Sequence, residues 1–218
     1  MLQKDKHKLN FKTYLNSAFR KNEKAIKDKF ISYSNHKFGN HSIQLLLTTF
    51  RDKFTEQKKI MSIIKSSYSE MAFNEYGVYV LQRLMEVFNP SICLELIAFV
   101  IKNTQALIKH DNGVCLTKKF IYLFNPNGNI NSISRKKNKE SKDESVNSKI
   151  DYYREKLVGK IRKDLVAIIR NKVGQNAFTF LLSSWGIDIC YSLVEDLEVT
   201  TEHIIGYSNS TFVLKRVL

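Results

Sequence analysis

Apolar residues recur at three- and four-residue spacing almost throughout the chain, and strand-like alternation is scarce. Ile60, Ile63, Ile64 and Tyr68 form one such stripe, Leu94, Ile97, Ala98 and Ile101 a second, and Leu157, Ile161, Leu165, Ile168 and Ile169 a third. Because a helix turns about 100° per residue, each set lies along one side and predicts an amphipathic helix that buries that side. Only two prolines, Pro90 and Pro126, and eight glycines interrupt 218 residues, which leaves room for long helices. The pattern predicts an all-α fold.

The chain also repeats itself. HKFGNHSIQLLL from His36, NEYGVYVLQRLM from Asn74, HDNGVCLTKKFI from His110 and NKVGQNAFTFLL from Asn171 align on a glycine that ends a polar turn and opens a helix closing on Leu, Ile or Phe. A weaker fifth copy, SNSTFVLKRVL, carries Ser210 in the glycine's place. Gly39, Gly77, Gly113 and Gly174 stand 38, 36 and 61 residues apart, and Ser210 a further 36. The long interval holds PNGNINSISRKKNKESKDESVNSKI, residues 126–150, whose low complexity and scarce apolar content predict a disordered insertion within the third repeat. Removing it restores the period. Each interval also contains helical pattern ahead of the glycine, so the unit is a helical pair or triplet that buries its apolar face only by stacking on neighbours. The organisation expected is a curved α-solenoid of about five repeats over residues 21–218, preceded by a cap or tail at 1–20 in which Phe11, Leu15, Ala18 and Phe19 form a short helical pattern.

Lysine and arginine number 35 against 21 aspartate and glutamate, a formal net charge of +14 that makes a polyanion the natural partner, whether nucleic acid or an acidic membrane surface. The amino terminus, MLQKDKHKLNFK, is too charged for a secretory signal, and apolar runs such as Leu94 to Ile101 fall short of a membrane span. Cys93, Cys115 and Cys190 are odd in number and scattered, which points to small core residues in a reducing compartment rather than to a zinc site or disulfide frame. The histidines His7, His36, His41, His110 and His203 show no metal-ligand spacing, and neither a phosphate-binding loop nor a catalytic triad is legible. The expectation is a soluble intracellular protein without catalytic site, metal or cofactor. The basic run Arg135 to Lys139 resembles a nuclear localisation patch or an RNA-binding arm.

A glycine ahead of a helix lets the chain turn sharply, and the residues after it then project toward one common face of the stack. In the first repeat that face is expected to expose Asn40, His41 and Gln44. Two amides four residues apart can bracket the edge of one base, and a flat ring beside them can stack on it. In the second repeat Val78, Tyr79 and Gln82 keep the ring and one amide.

Glycine, a small or polar residue, an aromatic residue, two apolar residues, glutamine and a Leu-rich ending, at intervals near 36, resemble the Pumilio (PUF) repeat. The resemblance covers roughly residues 21–218 outside the insertion. It implies an RNA-binding α-solenoid in which each repeat offers two side chains to the Watson–Crick edge of one base and a third that stacks between bases. Gly39 to Gln44 is similar to the arrangement that reads uracil, with His41 in the usual tyrosine place, and Tyr79 and Gln82 match two of three positions. The equivalent triplets are Val114, Cys115 and Lys118, then Gln175, Asn176 and Thr179, then Thr211, Phe212 and Lys215. The lysines there suit phosphate better than bidentate base reading, so affinity is expected to come mostly from phosphates and stacking, with modest sequence selectivity. The resemblance thus implies a monomer bound to single-stranded RNA, acting in post-transcriptional regulation of mRNA through translation or stability. Ribosome assembly on rRNA and a HEAT- or armadillo-like protein scaffold are the alternatives. The location implied is cytoplasmic, with nucleus or nucleolus as the other choice, and the convex face is left for protein partners. Five repeats, where the family usually has eight or more, suggest an incomplete or fragmentary sequence or a divergent short form, and the end inside the last repeat helix favours incompleteness.

Overall fold

The structure is a computed structural model that describes residues 23–126, 144–186 and 189–204. Among the described residues 83% are helical and none lies in a strand. In chain order the helices are α1 (Glu23–Ser34), α2 (Gly39–Thr49), α3 (Phe54–Ile64), α4 (Tyr68–Phe73), α5 (Gly77–Val87), α6 (Pro90–Lys102), α7 (Thr104–Leu107), α8 (Gly113–Leu123), α9 (Glu144–Lys163), α10 (Leu165–Arg170), α11 (Lys172–Trp185) and α12 (Tyr191–Ile204), with a 3-10 turn at Lys65–Ser67.

The stripe from Ile60 to Tyr68 belongs to two helices, because the 3-10 turn separates α3 from α4. The stripe from Leu157 to Ile169 breaks likewise at Asp164, between α9 and α10. Both helices of each pair bury the same side, so the apolar spacing runs through the corner and hides it in the sequence. The full unit is therefore a triplet: a long helix, a short one, then the glycine-led helix. The triplets are α3–α4–α5, α6–α7–α8 and α9–α10–α11, preceded by α1–α2. Two continuous rows result. The glycine-led helices α2, α5, α8 and α11 pack each on the next, and α1, α3, α6, α9 and α12 do the same on the opposite side. One apolar cluster runs between the rows from Ile26 to Leu197.

Polar groups lock the corners. The residue three before each glycine accepts that glycine's N–H: His36 Nδ1 from Gly39 at 3.2 Å, Asn74 Oδ1 from Gly77 at 2.9 Å, His110 Nδ1 from Gly113 at 3.3 Å and Asn171 Oδ1 from Gly174 at 2.8 Å. These satisfy a donor at the start of each helix that no intrahelical carbonyl can reach. Eleven residues past each glycine stands a buried aromatic, Phe50, Phe88, Phe124 or Trp185. The next unit reaches back to these positions: buried Gln57 donates to Phe50 O at 2.9 Å and Arg154 to Phe124 O at 2.6 Å, while Trp185 Nε1 donates across to Ile121 O at 2.9 Å.

The 126–150 boundary needs correction, since α9 begins at Glu144 and Ile150 is buried against the core. Val146 and Ile150 start an apolar side that continues through Tyr153, Leu157 and Ile161, a signal diluted by the surrounding Ser, Asn and Lys. The expected cap or tail at 1–20 lies outside the described residues, as does the fifth copy around Ser210.

The repeated glycine is required by close approach rather than by an unusual turn, for among the described residues only Gly186 has positive φ. A β-carbon on Gly174 would lie 2.6 Å from Ile168 O, and one on Gly39 2.6 Å from Tyr33 O, both backbone atoms six residues earlier. Gly159, inside α9, has nothing within 4 Å of the same position. Gly174→Ala should therefore destabilise the protein by about 1–3 kcal/mol, the usual range for a forced overlap. Gly159→Ala should instead stabilise it by roughly 0.5–1 kcal/mol through helix propensity. Urea unfolding followed by circular dichroism checks both, and equal effects of the same sign would contradict the close-approach explanation.

Candidate nucleic-acid interface

Around each glycine-led helix the core claims the positions one, four, eight and eleven past the glycine, leaving a side less covered by it at two, six and nine, and in α2, α5 and α8 also at five. Stacking of α2, α5, α8 and α11 lines these sides up into one face four helices wide.

The second position carries His41 and Asn176, both exposed, Tyr79 at 48% exposure and half-buried Cys115. The fifth carries half-buried Gln44, Gln82 and Lys118. These predicted residues do come together on one face. The first position does not join them: Asn40 is 1% exposed, and Val78 is buried as a core side chain. The expected exposure of Asn40 and Val78 is thus overturned, because one residue past the glycine the helix side faces the core and its neighbours. Thr179 is buried too, and its hydroxyl donates to Gln175 O at 3.0 Å on its own helix. Phe212 and Lys215 lie outside the described residues.

Asn40 has a different task. Its Nδ2 donates to His36 O at 2.9 Å and Lys37 O at 2.7 Å, and its Oδ1 accepts from Gln44 Nε2 at 2.9 Å. One amide thus holds the turn and orients the next. In the second unit Val78 offers no such acceptor, and Gln82 Nε2 is buried without a hydrogen-bond partner. A buried donor left unpaired in the protein is destabilising by about 1–3 kcal/mol, so turning the half-buried Gln82 side chain outward to an acceptor on the face would relieve it.

Four further residues of this face escaped the triplet reading: Leu45 at 69% exposure, Lys119, Tyr122 at 66% exposure and Phe180. The helical spacing already placed them there, six or nine residues past a glycine. Lys118 Nζ lies 5.8 Å from the Phe180 ring centroid in the next unit, and Lys119 Nζ 5.8 Å from that of Tyr122. Glu86 is tied to Arg83 at 3.0 Å. Rings, amides and ammonium groups on a face turned from the core suit a planar, anionic, extended ligand.

No protein-family model matches the chain, and no curated protein matches it in sequence. Solved structures do match in fold. The RNA-binding domain of yeast Puf5p bound to AAT2 RNA gives a TM-score of 0.68 at 17% identity, over 97% of this chain and 53% of that one. The Puf4 RNA-binding domain bound to the HO endonuclease RNA 3′ UTR recognition sequence gives 0.67 at 16% identity, over 88% and 51%. This chain has the Pumilio-repeat solenoid fold. PUF-8 in complex with PBE-RNA gives 0.61 at 13% identity, over 95% and 65%, so the chain spans between about half and two thirds of the length of these Pumilio-type chains.

Among the described residues no group of three His, Cys, Asp or Glu side chains could hold a metal ion, and no helix is long and apolar enough to cross a membrane. The thiols divide by place. Burial pushes Cys93 up to about 12 and Cys190 up to about 11, whereas Cys115 sits half-buried on the candidate face. Since the thiolate is the reactive form, a chromogenic disulfide reagent at pH 8 should titrate one thiol rapidly in the native protein and three in denaturant. Peptide mapping should place the fast one at Cys115, and rapid labelling of Cys93 would contradict the burial described.

Proposed function

We propose that the glycine-led face binds single-stranded RNA and that the protein acts in post-transcriptional regulation of mRNA. The observation that carries this reading is the regular presentation of a ring and an amide, His41 with Gln44 and Tyr79 with Gln82, from successive stacked helices. A solenoid that served only as a protein scaffold has no physical need for that pairing, whereas a base needs both a surface to stack on and a partner for its polar edge. The net charge of +14 supplies attraction to the phosphates. The mRNA assignment draws support from the Puf4 neighbour, which was solved on a 3′ UTR recognition sequence.

A second reading, rRNA binding in ribosome assembly, draws on the third unit, where Cys115 and Lys118 stand in place of the ring and the glutamine and the lysine favours contact with the phosphate backbone. The two readings differ in sequence selectivity.

Fluorescence anisotropy with labelled U-rich and A-rich single strands and a duplex, at two salt concentrations, tests the proposal. Single strands should bind better than duplex, and His41→Ala or Tyr79→Leu should each weaken binding about tenfold, in line with roughly 1–3 kcal/mol per stacked base. Gln82→Leu should weaken binding while leaving thermal stability unchanged or raised, since it removes an unpaired buried donor. Strong preference among single strands favours mRNA regulation, and its absence with steep salt dependence favours the rRNA reading. No binding at low salt would overturn RNA binding itself.

A further inference from the structure

In the third and fourth units the second position holds no ring, only Cys115 and Asn176. Yet each of these helices does present a ring on the same side: Tyr122, seven residues beyond Cys115, and Phe180, four beyond Asn176. Seven residues make nearly two helical turns, so Tyr122 points within about 20° of the Cys115 direction and about 10 Å further along the axis. Phe180 lies about 40° from the Asn176 direction and about 6 Å further on. Each of the four glycine-led helices thus offers one ring on the face, His41, Tyr79 and Tyr122 exposed and Phe180 half-buried with one side against the core.

We propose that Tyr122 and Phe180 form a second stacking site for RNA, offset along the helices, and that the strand crosses the face obliquely instead of following the second position throughout. The proposal rests on RNA binding by this face. Three observations carry it. Tyr122 is 66% exposed, so its ring contributes little to packing where it stands. Each ring has an ammonium group over it, Lys119 at Tyr122 and Lys118 at Phe180, each 5.8 Å from the centroid and on a flexible side chain that can swing to a phosphate. A base on the ring would bring its phosphate within reach of that cation, which is the combination used for single strands without base-edge reading. Finally, Lys118 belongs to α8 and Phe180 to α11, so this pair bridges the unit that carries Tyr122 and the unit that carries Phe180. The first half of the face therefore reads base edges through Gln44 and Gln82, and the second half holds bases by stacking and phosphate contact without edge reading.

The test uses single-stranded RNA carrying 2-aminopurine, whose fluorescence falls on stacking, titrated into the full chain and into Tyr122→Leu, Phe180→Leu and a His41→Ala/Tyr79→Leu variant. Tyr122→Leu should weaken binding about tenfold and restore part of the quenched fluorescence. Phe180→Leu should do the same, and if it fails to fold the exposed Tyr122 carries the test. Unchanged affinity and quenching in Tyr122→Leu, with weakened binding in His41→Ala/Tyr79→Leu, overturns the offset site and leaves RNA binding standing. Weaker binding with unaltered quenching also overturns it, since the ring then acts otherwise than by stacking. Failure of the parent chain to bind any single strand overturns both.

Discussion

A backbone carbonyl six residues before Gly39, Gly77 and Gly174 leaves no room for a β-carbon, the carbonyl before Gly113 stands close at 3.1 Å, and the rest of the architecture follows from that contact. It lets the last turn of a short helix abut the first turn of the next at a fixed angle. The side chain three before the glycine, His36, Asn74, His110 or Asn171, then closes the corner by accepting the freed N–H. Histidine and asparagine do the same job because an imidazole nitrogen and an amide oxygen are both compact acceptors. With the corner fixed, the rotation of each glycine-led helix about its axis is fixed too. That decides which side meets the core and which side joins the common face.

The units hold one another mainly through neighbouring contacts, as a quasi-one-dimensional array must. Asn112 Nδ2 donates to Phe73 O at 3.1 Å and Lys109 pairs with Asp164 at 2.6 Å, each linking one unit to the next. Gln57 is the most committed of these links, for its amide donates to the chain after α2 and its Oε1 accepts from Asn89 N at 3.0 Å after α5. A ligand lying across all four glycine-led helices would add a tie between units that otherwise hold mainly to their immediate neighbours.

The class of fold, the period and the face were legible because they rest on spacing. The glycines marked the units, and the quoted segments already began at His36, Asn74, His110 and Asn171, the acceptors of the corner. What spacing could not reveal was where a helix stops when its apolar side continues, as at Asp164, or that Asn40 spends its amide on His36 O, Lys37 O and Gln44. A polar side chain next to a glycine looks exposed in sequence, and only the packed neighbour shows it to be buried. The start of α9 at Glu144 was hidden for a related reason, since two apolar residues in seven do not stand out against Ser, Asn and Lys.

The demands of the scaffold and of the face fall on different positions, and this accounts for a fold that matches solved structures at 13–17% identity while no family model matches the sequence. Within each glycine-led segment the corner asks for one glycine and one acceptor, and the core for apolar side chains of suitable volume, demands that many sequences meet. Exposed positions such as those of His41, Tyr79 and Tyr122, two or nine past the glycine, carry no packing duty comparable to these. A ring can therefore be lost at the second position and gained at the ninth with little effect on stability, as the change from Tyr79 to Tyr122 illustrates. Recognition on such a scaffold diverges by moving side chains along the exposed side of a helix whose buried side stays the same.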